Sequence, residues 1–275
     1  MKLYVYDHCP FCVRARMIFG LKNLPVELVV LANDDEATPI GLVGKKVVPI
    51  LVKEDGTAMP ESLDIVHYVD EYFGEKILSE HVRPEIETWL KEVGSYYGHL
   101  TTARFTQIGL AEFETQSAVD YFTKKKTEFI GDFAENIAKT ETYLARLKGD
   151  LEKLTVLIQS ENALNGQLSL EDIIVFPVLR NLTCVKDIEF PPAVLAYITN
   201  MAKLSDVCLL VTNKGRVLTY GQMYEKVWKE EPFGNENIAV GSHVRSMRQK
   251  LYAAFPRPPF AISCIRDIGY CMEVH

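Results

Sequence analysis

The spacing of hydrophobic and polar residues divides the chain into three sections, and the first alternates strand-like with helix-like patterns. Three short apolar runs have the composition of β-strands: residues 2–6, 26–31 and 47–52. Residues 10–24 carry apolar side chains at helical spacing, and residues 62–73 do so again, with Ser62 placed as the N-cap. Asp55-Gly56 is a strong hairpin signal after the third run. The predicted order is β-α-β followed by β-β-α.

This order of elements is that of a thioredoxin-like domain, which we assign to residues 1–75. From residue 83 to about residue 205 the strand signals stop and helical spacing dominates. The helical segments in the pattern are residues 83–100, 133–158 and 170–185. Ser169 and Asp172 have the S-x-x-D spacing of a capping box, which we interpret as a helix start and not as a catalytic pair. Residues 83–205 are predicted to form an all-helical second domain.

The third section, residues 206–275, mixes the two periods again. The pattern predicts a turn and helix near residues 219–228, a second helix near 237–251 and a β-hairpin near 260–274. The apolar stripe of the second helix consists of Val240, Val244, Met247 and Leu251. This layout is that of a winged helix. The predicted fold class is therefore a multidomain α+β/α chain that ends in a partial winged helix.

Composition narrows the cellular setting. Six cysteines in 275 residues are too few for a secreted disulfide scaffold, and no basic and apolar signal segment opens the sequence. No apolar run approaches the length of about 18 residues that a membrane span requires. We therefore expect a cytoplasmic protein with no membrane partner.

Charge is distributed unevenly along the chain. Residues 211–275 hold nine Lys/Arg and six Asp/Glu, so this tail carries a net charge of +3 and the residues before it −10. An acidic body with a basic tail indicates an anionic partner for the tail alone.

Candidate chemistry begins at Cys9-Pro10-Phe11-Cys12, which lies between the first strand and the first helix. Cys9 is predicted to lie at the helix N-cap, where unpaired amides and the helix dipole stabilise a thiolate, with Arg14 and Arg16 adding positive charge. Pro10 suits the first helical position because its missing N–H costs nothing there. Cys9 is the predicted nucleophile, and Cys12 is the predicted resolving thiol.

A zinc site and simple packing account less well for the cysteine pair. A structural zinc site needs at least two further ligands at workable spacing, whereas the next cysteine is Cys184. Two cysteines that merely pack together would not require the strand-to-helix position that this pair occupies. We therefore predict a redox centre and no metal.

Two further pairs of residues support a thiol site. Val48-Pro49 opens the third strand, where a cis proline would face the cysteines; an ordinary edge proline is the alternative. Glu61-Ser62 precede a helix whose amides and Ser62 hydroxyl can hold a carboxylate, while Glu61 can pair with an amine. A γ-glutamyl group carries both charges, so glutathione is a chemically sensible ligand, although Ser62 taken alone is better interpreted as a plain N-cap.

The sequence of these segments resembles the bacterial glutaredoxin 2 family. The resemblance rests on residues 1–28, 47–52, 59–70, 89–93, 176–183 and 200–203, and it extends to about residue 205. It implies a glutathione-dependent dithiol-disulfide oxidoreductase with a thioredoxin-like domain and an all-α domain like that of glutathione transferases. The residues that it assigns are Cys9 and Cys12 for catalysis, and Val48, Pro49, Glu61 and Ser62 for glutathione. Phe11 departs from the tyrosine more usual between the cysteines, which leaves the sulfur chemistry intact.

The expected reaction is thiol exchange. The Cys9 thiolate attacks a protein disulfide or a glutathione mixed disulfide, and Cys12 or glutathione resolves the intermediate. Glutathione is thus expected as the reducing co-substrate. The competing hypothesis is a glutathione transferase, but such an enzyme needs a donor to the glutathione sulfur and not a thiol pair.

The basic tail points to a different partner. His243, Arg245, Arg248 and Lys250 lie within eight residues of one predicted helix, whose basic face could reach phosphates and base edges in a DNA groove. As a charge pattern alone, this face is better interpreted as a solvated surface.

The sequence of the tail favours the DNA interpretation. Residues 209–228, 240–251 and 265–270 resemble the DNA-binding domain of OmpR/PhoB-type response regulators. The resemblance implies a non-enzymatic segment that binds double-stranded DNA. The residues that it places against DNA are Ser242, His243, Arg245, Ser246 and Arg248, with Arg266 in the wing.

Two parts of the regulator family are missing from the chain: a phospho-acceptor domain and the β platform with most of the first helix. We therefore expect a junction near residues 203–209. The leading hypothesis is an engineered fusion, with a natural gene fusion as the alternative. A second functional hypothesis makes the DNA-binding segment the working part and the oxidoreductase only its carrier.

Overall fold

A computed structural model describes residues 1–210, 217–220, 223–224, 227, 236–254, 260–265 and 269–274. The chain divides into two compact units, Met1–Leu210 and Val211–His275. Each unit is described by itself below.

The first unit begins with a mixed sheet and three helices. In chain order these elements are β1 (Lys2–Val5), α1 (Pro10–Leu21), β2 (Glu27–Val30), α2 (Ala37–Val43), β3 (Ile50–Val52), β4 (Ala58–Pro60) and α3 (Ser62–Tyr72). The strands lie in the order β2-β1-β3-β4, with β1 parallel to β2 and antiparallel to β3. This part has the predicted thioredoxin-like arrangement.

Two local predictions for this part were wrong. The spacing of apolar residues did not predict α2, whose sequence ATPIGLV contains both proline and glycine and so lacks a strong helical signal. Ser62 is the first helical residue of α3 and not its N-cap. The N-cap is Glu61, which has a left-handed backbone with φ +72° and makes no capping hydrogen bond through its side chain.

The rest of the first unit is helical, as predicted. It contains α4 (Pro84–Phe105), a 3₁₀ helix (Ala111–Phe113), α5 (Gln116–Ile130), α6 (Phe133–Ala138), α7 (Thr140–Leu157), α8 (Leu170–Leu182) and α9 (Pro192–Leu204). The sequence pattern missed α5 and α9 and merged α6 with α7, which separate at Lys139. The capping box of Ser169 and Asp172 is confirmed at the start of α8.

Helix α1 is buried on two sides, and this fixes the position of its first turn. It packs against α3 within the thioredoxin-like part and against α8 of the helical part. Cys12, Val13, Met17 and Ile18 are all fully buried. Burial of these apolar side chains stabilises the contact between the thioredoxin-like part and the helical part of the first unit.

The second unit contains β5 (Val217–Thr219), α10 (Glu236–Ala254), β6 (Phe260–Ile265) and β7 (Gly269–Val274). The strands form an antiparallel sheet in the order β5-β7-β6. The second helix and the hairpin predicted for the tail are thereby confirmed, whereas half of the residues of the predicted helix near 219–228 lie outside the described residues.

In the described ranges, no helix is both long enough and apolar enough to cross a membrane.

Candidate thiol site and candidate nucleic-acid surface

Cys9 and Cys12 lie one helical turn apart at the start of α1. Cys9 is the N-cap residue, with an extended backbone, and Pro10 is the first helical residue, as predicted. Cys9 is half-buried and Cys12 fully buried, and both are free thiols. The backbone N–H of Tyr6 donates to the Cys12 sulfur at 3.4 Å. Of the two sulfurs, that of Cys9 is the one accessible to a reactant.

The two thiols have opposite acidities. The pKa of Cys9 is lowered to about 6, first by a hydrogen bond from the Cys12 thiol. Burial opposes this shift, while the charge of His8 and the backbone N–H groups of Cys12 and Phe11 support it. Burial and the interaction with Cys9 raise the pKa of Cys12 well above its ordinary value. At neutral pH Cys9 is therefore mainly a thiolate and Cys12 a thiol.

The two arginines expected near the cysteines have different surroundings. The Arg14 guanidinium lies 4.7 Å from the centre of the Phe11 ring and interacts with the charge of Cys9, although burial lowers its pKa. Arg16 forms an ion pair with Asp7. Arg14 therefore interacts with the charge of Cys9, whereas Arg16 is paired with Asp7.

The Val48-Pro49 peptide bond is cis, as predicted, and Val48 lines the same cavity as Cys9. In the antiparallel pair of β3 and β4, Ile50 lies opposite Pro60. Continuing this register by one residue sets Pro49 opposite Glu61.

The start of α3 continues from this edge of the sheet. The Glu61 carboxylate is exposed and accepts a hydrogen bond from the Lys45 ammonium at 3.1 Å, while Ser62 is buried. Glu61 can therefore exchange Lys45 for the amine of a ligand without leaving a buried charge unpaired.

Helix α8 holds the loop that carries Cys9. The buried Arg180 guanidinium donates to the carbonyl oxygen of Asp7 at 2.7 Å and to its carboxylate at 2.8 Å. It also donates to the carbonyl of Cys208 at 2.7 Å. The Asn181 amide donates to the carbonyl of His8. These bonds fix the backbone immediately before Cys9.

No role was predicted for Asp7, His8, Arg180 or Asn181 from residue chemistry. A signal for two of them was present, because Arg180-Asn181 interrupts the apolar pattern of a helix that is otherwise buried. Their partners lie 173 residues away in the chain, so spacing alone could not identify them.

A cavity of about 470 Å³ opens beside Cys9. Its aromatic wall consists of Tyr6, Tyr97, Phe105, Tyr121 and Phe122, and its basic edge of Lys46, Lys125 and Lys126. Lys46 donates to the carbonyl of Asn33 at 2.6 Å, whereas Lys125 and Lys126 form no ion pair with a carboxylate in the part of the chain described. The cavity can therefore receive an apolar group that carries negative charge.

In the second unit, α10 presents the residues expected to contact DNA. Ser242, His243, Arg245 and Ser246 are exposed. Arg248 is half-buried and donates a hydrogen bond to the carbonyl of Ile262 in β6, so it also holds the hairpin to the helix. Arg266 lies outside the described residues.

The apolar stripe of α10 was predicted correctly at two positions and wrongly at one. Val240 and Val244 are buried, but Met247 is 49% exposed because it lies on the solvent side of the helix. The side chain of Leu251 lies outside the part of the chain that is described.

Family models match three parts of the chain, the second and third of which overlap at residues 206–213. The model for the N-terminal domain of glutathione S-transferase matches residues 3–76, and that for the C-terminal domain of glutaredoxin 2 matches residues 85–213. The model for the C-terminal part of transcriptional regulatory proteins matches residues 206–272.

Individual relatives divide in the same way. Glutaredoxin 2 of Escherichia coli strain K12 is 50% identical over 210 residues, which are 76% of this chain and 98% of that protein. The crystal structure of glutaredoxin 2 from Salmonella typhimurium in complex with glutathione is also 50% identical, with a TM-score of 0.75 over 76% of this chain and 96% of that one.

For the tail, the sensory transduction protein RegX3 of Mycobacterium tuberculosis strain H37Rv is 36% identical over 64 residues. This match spans 23% of the present chain and 27% of RegX3.

Proposed function

Because the chain belongs to the glutaredoxin 2 family, we propose that residues 1–210 form a glutathione-dependent thiol-disulfide oxidoreductase. The observation that carries the proposal is the pair of thiols at the start of α1: an accessible Cys9 with a pKa of about 6, and a buried Cys12 that stays protonated. This is the distribution that thiol exchange requires, since the thiolate is the nucleophile. Such thiol chemistry suits a reducing compartment, so we place the protein in the cytoplasm.

Glutathione is the proposed reducing co-substrate, as a relative of known structure carries it. Its γ-glutamyl group would occupy the start of α3, with its carboxylate on the first amides and Ser62, and its amine on Glu61. The backbone of Val48, next to Pro49, would pair with the central peptide of glutathione.

The monothiol reaction proceeds in two exchanges. The Cys9 thiolate attacks the glutathione sulfur of a mixed disulfide, which forms a Cys9–glutathione disulfide and displaces the other sulfur as the leaving group. A second glutathione, as its thiolate, then attacks the glutathione sulfur of that bond. Glutathione disulfide leaves and the Cys9 thiolate is restored.

For a protein disulfide, Cys12 completes the reaction. Cys9 first forms a mixed disulfide with one substrate sulfur and releases the other. Cys12 then loses its proton and attacks Cys9, which frees the reduced substrate and leaves a Cys9–Cys12 disulfide. Two molecules of glutathione return this disulfide to the dithiol and become glutathione disulfide.

The proposal is tested by reduction of a glutathione mixed disulfide, with glutathione disulfide formation coupled to NADPH oxidation by glutathione reductase. Replacing the nucleophile in Cys9→Ser should abolish turnover, while Cys12→Ser should keep it for the mixed disulfide and lose it for a protein disulfide. Cys208→Ser is the matched control, because Cys208 is a free, exposed thiol of the first unit. Turnover that persists in Cys9→Ser contradicts the proposal.

For the second unit we propose a winged-helix segment that binds double-stranded DNA through α10. The exposed Ser242, His243, Arg245 and Ser246 would face the major groove, with Arg248 behind them and Arg266 in the wing. The match to a transcriptional regulator over residues 206–272 supports this proposal.

DNA binding is tested by titrating a fluorescent duplex at several salt concentrations. Arg245→Ala should weaken binding and reduce its salt dependence, because one phosphate or base contact is lost. Lys148→Ala removes one exposed positive charge from α7 and serves as the control. Equal binding by both variants would contradict the assignment of α10 as the DNA-binding surface.

We further propose that the chain is a fusion of these two functions, most simply an engineered one. The match to glutaredoxin 2 covers 98% of that protein but only 76% of this chain, which leaves the tail without a counterpart in it. The match to RegX3 covers 27% of that protein and 23% of this chain. A natural gene fusion would have the same composition.

A further inference from the structure

A fully buried carboxylate reaches the loop that carries Cys9 from a distant part of the chain. Glu112, in the 3₁₀ helix Ala111–Phe113, has no exposed surface. Its Oε1 accepts the backbone N–H of His8 at 2.9 Å and contacts the His8 Nδ1 at 2.7 Å. Its Oε2 is buried and has no hydrogen-bond partner among the described residues. Half of this carboxylate is therefore unsatisfied.

This contact defines the tautomer of His8. A carboxylate oxygen can only accept, and Oε1 already accepts one N–H, so the 2.7 Å contact places a proton on Nδ1. The other ring nitrogen, Nε2, is then the atom that can take up a second proton. Burying a carboxylate with an unpaired oxygen is costly, and a positive charge on the adjacent ring offsets that cost.

The ring is held in place by aromatic side chains and lines the cavity beside the reactive thiol. Tyr6 and Phe113 stack on it with ring centres 5.6 and 5.2 Å away, and Phe122 meets it edge-on at 5.1 Å. The His8 side chain keeps only 9% of its surface exposed, and it lines the same cavity as Cys9. Because so little of the ring is exposed to solvent, its partner for proton exchange is a reactant bound in that cavity.

We propose that His8 passes protons between the thiols that react at Cys9, and that Glu112 is the positioning residue that holds its ring in the required tautomer. The proposal rests on the oxidoreductase function, and it adds a proton route to the sulfur chemistry. The arrangement of carboxylate, imidazole and sulfur follows the logic by which an acid orients a general base.

The proton balance closes over one cycle. When the glutathione thiol attacks the Cys9–glutathione disulfide, its proton moves to Nε2 of His8, glutathione disulfide leaves, and Cys9 becomes a thiolate. When Cys9 next attacks a mixed disulfide, the departing sulfur receives that proton and leaves as a thiol. His8 returns to its neutral form, and Glu112 stabilises the charged ring in between.

The remaining ionisable groups around His8 do not supply this route. Tyr6 on β1 and Tyr97 on α4 have pKa values raised by burial, so both stay neutral. Helix α8 presents Arg180, which is paired with Asp7. From α5, Lys125 and Lys126 line the cavity with ammonium groups, which have no lone pair that could accept a proton. The Cys9 thiolate is itself the reacting group.

The test isolates the glutathione step. In a Cys12→Ser background, the purified Cys9–glutathione disulfide is mixed with glutathione, and its rate of cleavage is followed between pH 6 and pH 9. Glu112→Gln should slow the reaction about tenfold or more at pH 7. The deficit should disappear towards pH 9, where glutathione ionises without help, because an ordinary thiol has a pKa of about 8.5. Glu112→Asp keeps the charge and should recover part of the rate.

Glu114→Gln is the matched control, since Glu114 is exposed and lies two residues away. His8→Gln should reproduce the pH-dependent deficit, and it replaces Glu112→Gln if that variant fails to fold. The native protein provides a third measurement, in which ring ¹⁵N shifts should place the His8 proton on Nδ1. An equal rate loss at every pH, no loss, or a proton on Nε2 with Nδ1 bare would each overturn the proposal. Inactivity of the native enzyme would instead refute the oxidoreductase function itself.

Discussion

At the scale of single residues, the acidity of Cys9 depends most on the neighbouring thiol of Cys12. Cys12→Ala removes this donor, so the pKa of Cys9 should rise from about 6 towards that of an ordinary thiol. Cys12→Ser retains a hydroxyl donor and should raise the pKa of Cys9 less. The measurement is the rate of Cys9 alkylation by iodoacetamide as a function of pH, with the Cys9 peptide quantified by mass spectrometry. If Cys12→Ala leaves the midpoint near pH 6, the helix start and His8 must dominate instead.

The sequence identified the residues of this site that act through local geometry. Cys9 as the N-cap, Pro10 as the first helical residue and the cis bond before Pro49 all follow from neighbours in the chain. Glu112 could not be found in this way, because its partner His8 lies 104 residues away. Nothing in the composition around Glu112 distinguishes it from Glu114, and only folding makes one of them buried.

At the scale of secondary-structure elements, α8 is the support of the Cys9 loop. Arg180→Met keeps the volume of the side chain but removes one of the two arginine partners of the Asp7 carboxylate and the donor to two part-buried carbonyl groups. Losing these hydrogen bonds of a buried charged group should lower the free energy of unfolding by about 3 kcal/mol. Urea unfolding of the reduced protein measures this change in the free energy of unfolding. Arg146→Met is the control, because Arg146 is half-exposed and its loss should cost about 1 kcal/mol or less. Equal unfolding midpoints for the two variants would refute the role of Arg180.

The elements that periodicity failed to predict were missed for identifiable physical reasons. Helix α2 contains Pro39 and Gly41, which weaken its own propensity, and it is stabilised by tertiary contacts such as those with β4. Helix α5 has the polar run Lys124–Lys126 on its exposed side, so its short apolar face is inconspicuous. In contrast, α1 and α8 are apolar nearly all round and were found readily, since both are buried.

At the scale of the whole molecule, a basic cavity edge stands out on an acidic body. Residues 1–210 carry a net charge of −10, yet Lys125 and Lys126 lie beside the reactive sulfur without carboxylate partners in the described part of the chain. The double variant Lys125→Glu, Lys126→Glu should therefore lower kcat/KM for a disulfide with acidic groups about tenfold, and less at high salt. A neutral mixed disulfide should be affected little. Equal losses for both substrates would indicate a structural effect instead.

The last prediction concerns the independence of the two units. The match to the glutaredoxin 2 relative covers 210 residues, which are nearly the whole length of that protein, so it has no counterpart of the tail. The first unit ends at Leu210, which is buried in the core of that unit. A chain that ends at Leu210 should thus keep its thermal unfolding midpoint and its glutathione-dependent turnover within about twofold, because its hydrophobic core is complete. The same chain should lose duplex binding, since α10 is removed. Turnover that falls with the tail, or duplex binding that survives its removal, would mean that the residues assigned to the two functions do not divide at Leu210.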